Sequence, residues 1–97
     1  MKFSWDPRKA DSNFRKHGVA FDEAITVFSD PLAFIFDDMI HSEEEHREII
    51  IGYSALSRLV LVCFVERSED TIRIISARRA TKAEIKDYEE NARNQIP

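Results

Sequence analysis

Apolar positions along this chain change period several times, and each change predicts an element. "FSW" (Phe3 to Trp5) suits a short first strand, and Asp6-Pro7 then opens a helix. Asp6 can accept a bond from a free helix amide, and proline fits the first helical position. Ala10, Phe14 and His17 fall on one helical face, and Gly18 tolerates the left-handed turn that ends a helix. Phe21, Ala24, Ile25 and Phe28 repeat the buried stripe of a second helix, stopped by Ser29-Asp30-Pro31. "LAFIF" is predicted as a strand ending at Asp37-Asp38, followed by a polar loop, "MIHSEEEH".

Three more strands are expected around "REIIIGYS", "RLVLVCFVE" and "TIRIISAR". Their links, "ALS" and "RSED", are too short for parallel crossovers, so antiparallel hairpins follow. The middle strand is apolar from Leu59 to Val65, which predicts a central strand covered on both faces. In "TIRIISAR" simple alternation would put Ile72, Ile74, Ser76 and Arg78 on one face, and Arg73, Ile75, Ala77 and Arg79 on the other. A capping box, Thr81 with Glu84, opens a last helix with Ile85, Tyr88 and Ala92 as its apolar stripe. The predicted class is a single α+β domain over residues 1–97. It has an antiparallel sheet in the order β-α-α-β-β-β-β-α, with two N-terminal helices and one C-terminal helix.

Composition narrows the possibilities. The chain has 97 residues, 43% hydrophobic and 33% charged, as in a folded globule rather than a disordered chain. Two glycines, with no GxGxxG and no P-loop, leave no loop to cradle a nucleotide phosphate. The lone Cys63 excludes an internal disulfide and a cysteine-based zinc site, and its apolar surroundings predict an inert thiol. The N-terminus lacks the apolar stretch of a signal peptide and no run matches a membrane span, so a cytoplasmic location is expected.

Charge is where the chain departs from a bland globule. The net charge is −4, which argues against indiscriminate nucleic-acid binding. Yet residues 73–82 carry Arg73, Arg78, Arg79 and Lys82 with no acid, and residues 1–19 hold five bases against two acids. Residues 37–48 instead hold six acids and Arg47. Arginine suits phosphate because its planar fork matches two oxygens and stays protonated. Hairpin geometry predicts that Arg58, Arg78 and Arg79 gather at one end of the sheet, with Arg47 and Arg73 toward the other. Each also has a structural reading, as a salt bridge or a solvated charge. "HSEEEH" places His41 and His46 around three glutamates but lacks a recognised ligand spacing, so no metal site is expected. His17 reads as a general base or as a core or capping residue. Tyr88 and Trp5 read as core packing or as stacking platforms for a base. No helix-turn-helix pattern supports a DNA-binding regulator.

Three stretches taken together point to a family. "WDPRKADSNFRKHGVAFDEA" (Trp5 to Ala24), "HSEEEHR" (His41 to Arg47) and "RIISARRATKAEIKDYE" (Arg73 to Glu89) resemble the BrnT toxins. Where members of that family carry glycines in two turns, this chain has Ser57 and Ser68. The resemblance implies a fold similar to RelE-type ribonucleases and metal-independent RNA cleavage that blocks translation. It also implies neutralisation by a cognate DNA-binding antitoxin, with operator DNA reached only through that partner. No cofactor and no membrane are implied. Candidate catalytic residues are Arg58, Arg78, Arg79, Glu45 and His17; candidate RNA contacts are Lys16, Arg47, Arg73 and Lys82. The alternative is a partner-binding module that keeps the toxin fold without nuclease activity.

Overall fold

The structure is a computed structural model that describes residues 1–41, 45–68 and 70–95. The elements are β1 (Lys2–Ser4), α1 (Pro7–His17), α2 (Phe21–Ala24) running into a 3₁₀ turn (Ile25–Ser29), β2 (Phe34–Asp37), β3 (Glu48–Tyr53), β4 (Leu59–Ser68), β5 (Thr71–Arg79) and α3 (Lys82–Gln95). The expected order is present. The five strands form one sheet in the order β1-β5-β4-β3-β2, so the all-apolar β4 is indeed central.

The sheet is mixed rather than antiparallel throughout. β1 pairs with β5 in parallel, Phe3 opposite Ile72. Short links force antiparallel pairing only at the hairpins. Between β1 and β5 runs most of the chain, ample for a parallel return.

Two layers cover the sheet. On one face, Val60, Val62, Phe64, Ile72, Ile74 and Ala77 pack with Val19, Phe21, Ala24 and Val27 from the first helices. Trp5 packs against this cluster, its ring 5.9 Å from that of Phe21. On the other face, Ile51, Leu59 and Leu61 meet Tyr88 and Ala92 of α3. Tyr88 is therefore core, and its hydroxyl donates to Asp30 Oδ2 at 2.7 Å. Gly52 permits a close approach on β3: a Cβ there would lie 2.8 Å from Ala33 Cβ.

Both caps of α1 hold as expected. Asp6 accepts from the Arg8 amide at 2.9 Å, and Gly18 has φ of 69°. The inward face of α1 differs, however. Phe14 is 55% exposed and His17 is exposed, while Asn13 is buried. Beyond Arg73, β5 has no strand on its outer side among the described residues, and α1 lies there instead. The Asn13 amide donates to Ala77 O at 2.8 Å and accepts from Ala77 N at 3.1 Å. One side chain thus supplies both bonds that a neighbouring strand would make.

A second departure shapes the site. The β4–β5 register slips between Cys63 and Phe64, where Cys63 pairs with Ser76 and Phe64 with Ile74. Ile75 is the extra residue of a β-bulge, and it resets the alternation. Ile72, Ile74 and Ala77 share the first face, whereas Ile75, Ser76 and Arg78 open toward the second, beside Leu61. The strictly alternating face assignment for this strand is overturned by that one inserted residue.

Candidate nucleic-acid cleft

The part of the second sheet face that α3 leaves uncovered forms a cleft of about 480 Å³. Its floor is Ile49, Leu61, Cys63, Ile75 and Ser76. Lys9 and His17 of α1 line one side, and Asp38, Ile40, His41 and Arg47, from the segment joining β2 and β3, line another; Arg78 also lines it. Two devices build this arrangement. Asn13 holds α1 along the β5 edge, which brings Lys9 and His17 to the rim. The bulge turns Ser76 and Arg78 into the cleft.

Arg78 is half-buried and bound to α3. Its two terminal nitrogens donate to Glu84 at 2.8 Å each. Glu84 also closes the capping box, accepting from the Thr81 amide at 2.8 Å. Arg78 beside it, together with the Thr81 bonds and against the opposing effect of burial, holds the Glu84 carboxyl down at about 2. This carboxylate already occupies the start of α3, where free helix amides would otherwise favour an anion.

Asp38 is the buried acid of the cleft. Burial pushes its carboxyl up, but the bonds from His41 and Cys63 outweigh that and leave it below its ordinary value. His41 Nδ1 lies 3.0 Å from Asp38 Oδ2, a contact that orients the ring. The Cys63 thiol is 3.6 Å from the same oxygen and is pushed up to about 11 by burial and by Asp38. It stays protonated near neutrality, in line with an inert thiol.

The expected arginine trio divides between the two faces. Arg58 donates through Nε to Glu23 Oε2 at 2.9 Å, through a terminal nitrogen to Glu23 Oε1, and to Gly18 O at 2.9 Å. Ser54 Oγ donates to the same carboxylate at 2.7 Å. The Arg58 bonds hold the Glu23 carboxyl low, and the charge of Arg79 adds to this. Arg58 and Arg79 therefore attend Glu23 on the α1–α2 side, while Arg78, one residue earlier on β5, faces the cleft. Arg47, expected at the far end with Arg73, reaches the cleft, and Arg73 does not line it.

Glu45 stands outside the cleft, 2.9 Å from an Arg67 nitrogen and 4.0 Å from an Arg47 nitrogen. Lys16 and Lys82 are exposed and line no part of the cleft. Of the candidates, His17, Arg47 and Arg78 meet there. Lys9, Asp38 and Ser76 join them without having been singled out, His41 joins them after being weighed only as a metal ligand, and Asn13 was missed as the residue that seats α1. The adjacency of Asp38 and His41, three apart in a polar loop, was the available signal.

Asp37, His46 and Glu48 also come together, with one ligand atom of each within 4.8 Å of the others. Asp37 and Glu48 are cross-strand partners, and His46 Nε2 is 3.0 Å from Asp37. His41, paired with His46 by sequence spacing, turns to Asp38 instead. By strand alternation this trio lies on the sheet face opposite the cleft. Among the described residues no helix is long and apolar enough to cross a membrane.

Among curated protein sequences none matches. The crystal structure of the Brucella abortus ribonuclease toxin BrnT superposes with a TM-score of 0.66 and 26% identity, covering 84% of this chain and 99% of that one. A family model described as the ribonuclease toxin BrnT of type II toxin–antitoxin systems matches residues 5–84, most of the chain. This protein belongs to the BrnT family of type II toxin–antitoxin ribonuclease toxins.

Proposed function

We propose that the chain is a metal-independent endoribonuclease whose reaction takes place in the cleft between α1, the bulge of β5 and the segment after β2. The observation that carries this reading is the gathering of Lys9, Arg47 and Arg78 with two imidazoles, His17 and His41, around one cavity. Those are the groups that transesterification of RNA needs. A base takes the proton of the 2′-hydroxyl, the 2′-oxygen bonds to phosphorus, and the phosphorus–O5′ bond breaks as an acid protonates the leaving oxygen. Cyclic 2′,3′-phosphate and 5′-hydroxyl ends result. His41, oriented by Asp38, and His17 are assigned the proton transfers; Arg78, Arg47 and Lys9 are assigned the phosphorane charge. The carboxylate-rich trio of Asp37, His46 and Glu48 stands on the other face and takes no part in these steps. Arg58 and Arg79 support the reaction by holding Glu23 and the turn at Gly18, and Glu45 by steadying Arg47. Lys16, Arg73 and Lys82 serve as outer contacts for the RNA backbone.

In this reading the fold is akin to RelE-type toxins, and RNA cleavage in the cytoplasm arrests translation. A DNA-binding antitoxin neutralises the chain and carries the complex to operator DNA. One observation favours the alternative of a binding module without nuclease activity: Glu84 occupies both terminal nitrogens of Arg78. Incubation of the purified chain with end-labelled RNA in EDTA separates the two. Cleavage to cyclic phosphate ends, lost in Arg78→Ala, supports the enzyme. Intact RNA beside tight antitoxin binding supports the module.

A further inference from the structure

The two sides of the sheet are finished differently. On the β5 side the sheet ends in β1, three residues long, and Asn13 satisfies the backbone of Ala77, so that edge offers only a short stretch for added pairing. On the other side, β2 ends the sheet with no strand beyond it among the described residues. Its sequence, "FIFD", has no lysine or proline to discourage pairing, and Ile35 and Phe36 are 50% and 42% exposed. The apolar surface continues into Met39 and Ile40, 84% and 80% exposed.

The register tells which groups are offered. The Asp38 amide donates to Arg47 O at 2.9 Å, continuing the β2–β3 pairing. Bonded pairs alternate along antiparallel strands, so Phe34 and Phe36 point their backbone groups inward, and Ile35 and Asp37 point theirs outward. Charge selects the occupant. Among the described residues at this end of the sheet, the acids Asp37, Asp38, Glu45 and Glu48 outnumber Arg47 and Arg67. A second copy would bring the same acids to the same seam, whereas a basic segment would be attracted.

We infer that the outer edge of β2 is where the antitoxin docks, by adding an extended segment that alternates apolar residues with lysine or arginine. This rests on the toxin–antitoxin reading and adds the surface and the means of inhibition. Ile40 lines the cleft, so a segment following β2 onto Met39 and Ile40 crosses the cleft mouth. Main-chain bonds supply affinity, and the acidic flank supplies orientation.

The test uses the full chain and the protein encoded by the adjoining reading frame. Ile35→Pro removes only an outward amide, and Ile35→Lys places a cation on the seam; neither touches the cleft. Both variants should fold and cleave RNA like the parent, bind the antitoxin at least about tenfold more weakly, and escape inhibition. On complex formation the amides of Ile35 and Asp37 should gain protection from hydrogen exchange, while Phe34 and Phe36 are protected throughout. Undiminished binding by both variants, or protection gained only on α1 or α3, overturns the inference. So does a homodimer of the free parent that Ile35→Lys dissolves, which would assign the edge to a second copy. If the parent never cleaves RNA but binding still depends on Ile35, the docking surface stands and the nuclease reading falls.

Discussion

Replacing Arg58 with alanine distinguishes a structural arginine from a catalytic one. Glu23 has only 5% of its side chain exposed, and Arg58 gives it two of its three side-chain hydrogen bonds. In Arg58→Ala the carboxylate keeps Ser54 alone and the Gly18 carbonyl loses a donor. Stripping one partner from a buried pair costs about 3–5 kcal/mol, and the 27% exposure of Arg58 sets the lower end, about 3. For a domain this size that lowers Tm by about 12–24 °C. The pH dependence gives a second check. Arg58 holds the Glu23 carboxyl below its ordinary value, so its stabilisation is present above the unfolded-state value and is lost as pH falls. The gap between parent and variant should therefore be full near pH 7 and narrow as pH falls below the ordinary carboxyl value of 4.5. Urea denaturation at several pH values measures it, alongside single-turnover RNA cleavage well below the variant's Tm. If stability were unchanged within about 0.5 kcal/mol while cleavage fell a hundredfold, the structural assignment would be refuted and Arg58 would belong to the chemistry.

Other substitutions probe the elements that form the cleft. Asn13→Leu leaves the Ala77 amide and carbonyl without their partners and should cost about 2–4 kcal/mol in urea, with the strongest hydrogen-exchange loss at Ala77. Ser57 sits at φ of 60°, which glycine adopts without strain, so Ser57→Gly should raise stability by up to about 1 kcal/mol. With the Glu84 carboxyl held at about 2, the Arg78–Glu84 pair contributes above the unfolded value near 4.5 and is lost as pH drops toward 2. Partial exposure reduces this to about 1 kcal/mol, and Glu84→Gln should flatten the acid limb of the stability curve by that amount.

Much of this architecture was written in local patterns. The Asp6-Pro7 start, the Gly18 stop, the Thr81–Glu84 box and the apolar β4 depend on neighbours within a few residues, and each formed as expected. What was hidden depends on distant pairing. Nothing around Ile75 announces a bulge, yet that single residue decides which face Ser76 and Arg78 occupy. Asn13 looks like a polar helix residue until the open edge of β5 is placed beside it, 64 positions away in sequence. Spacing put Phe14 on one face with Ala10 and His17, but Asn13 took the inward position because unpaired strand groups needed a donor and an acceptor. The basic character of residues 73–82 was visible, and alternation parted Arg78 from Arg79, but which of the two would face the cleft and which Glu23 was not. The Asp38–His41 pair sat in a loop that looked merely solvated.

The central claim is that the cleft cations and imidazoles cut RNA. Cleavage of a short labelled RNA in EDTA, by the parent and by Arg78→Ala, Arg47→Ala, His41→Ala and His17→Ala at matched folded fraction, tests it most directly. The account predicts cyclic phosphate ends from the parent and losses of about a hundredfold or more in the Arg78 and His41 variants. Unchanged rates in all four variants, or activity that requires added divalent metal, would contradict it.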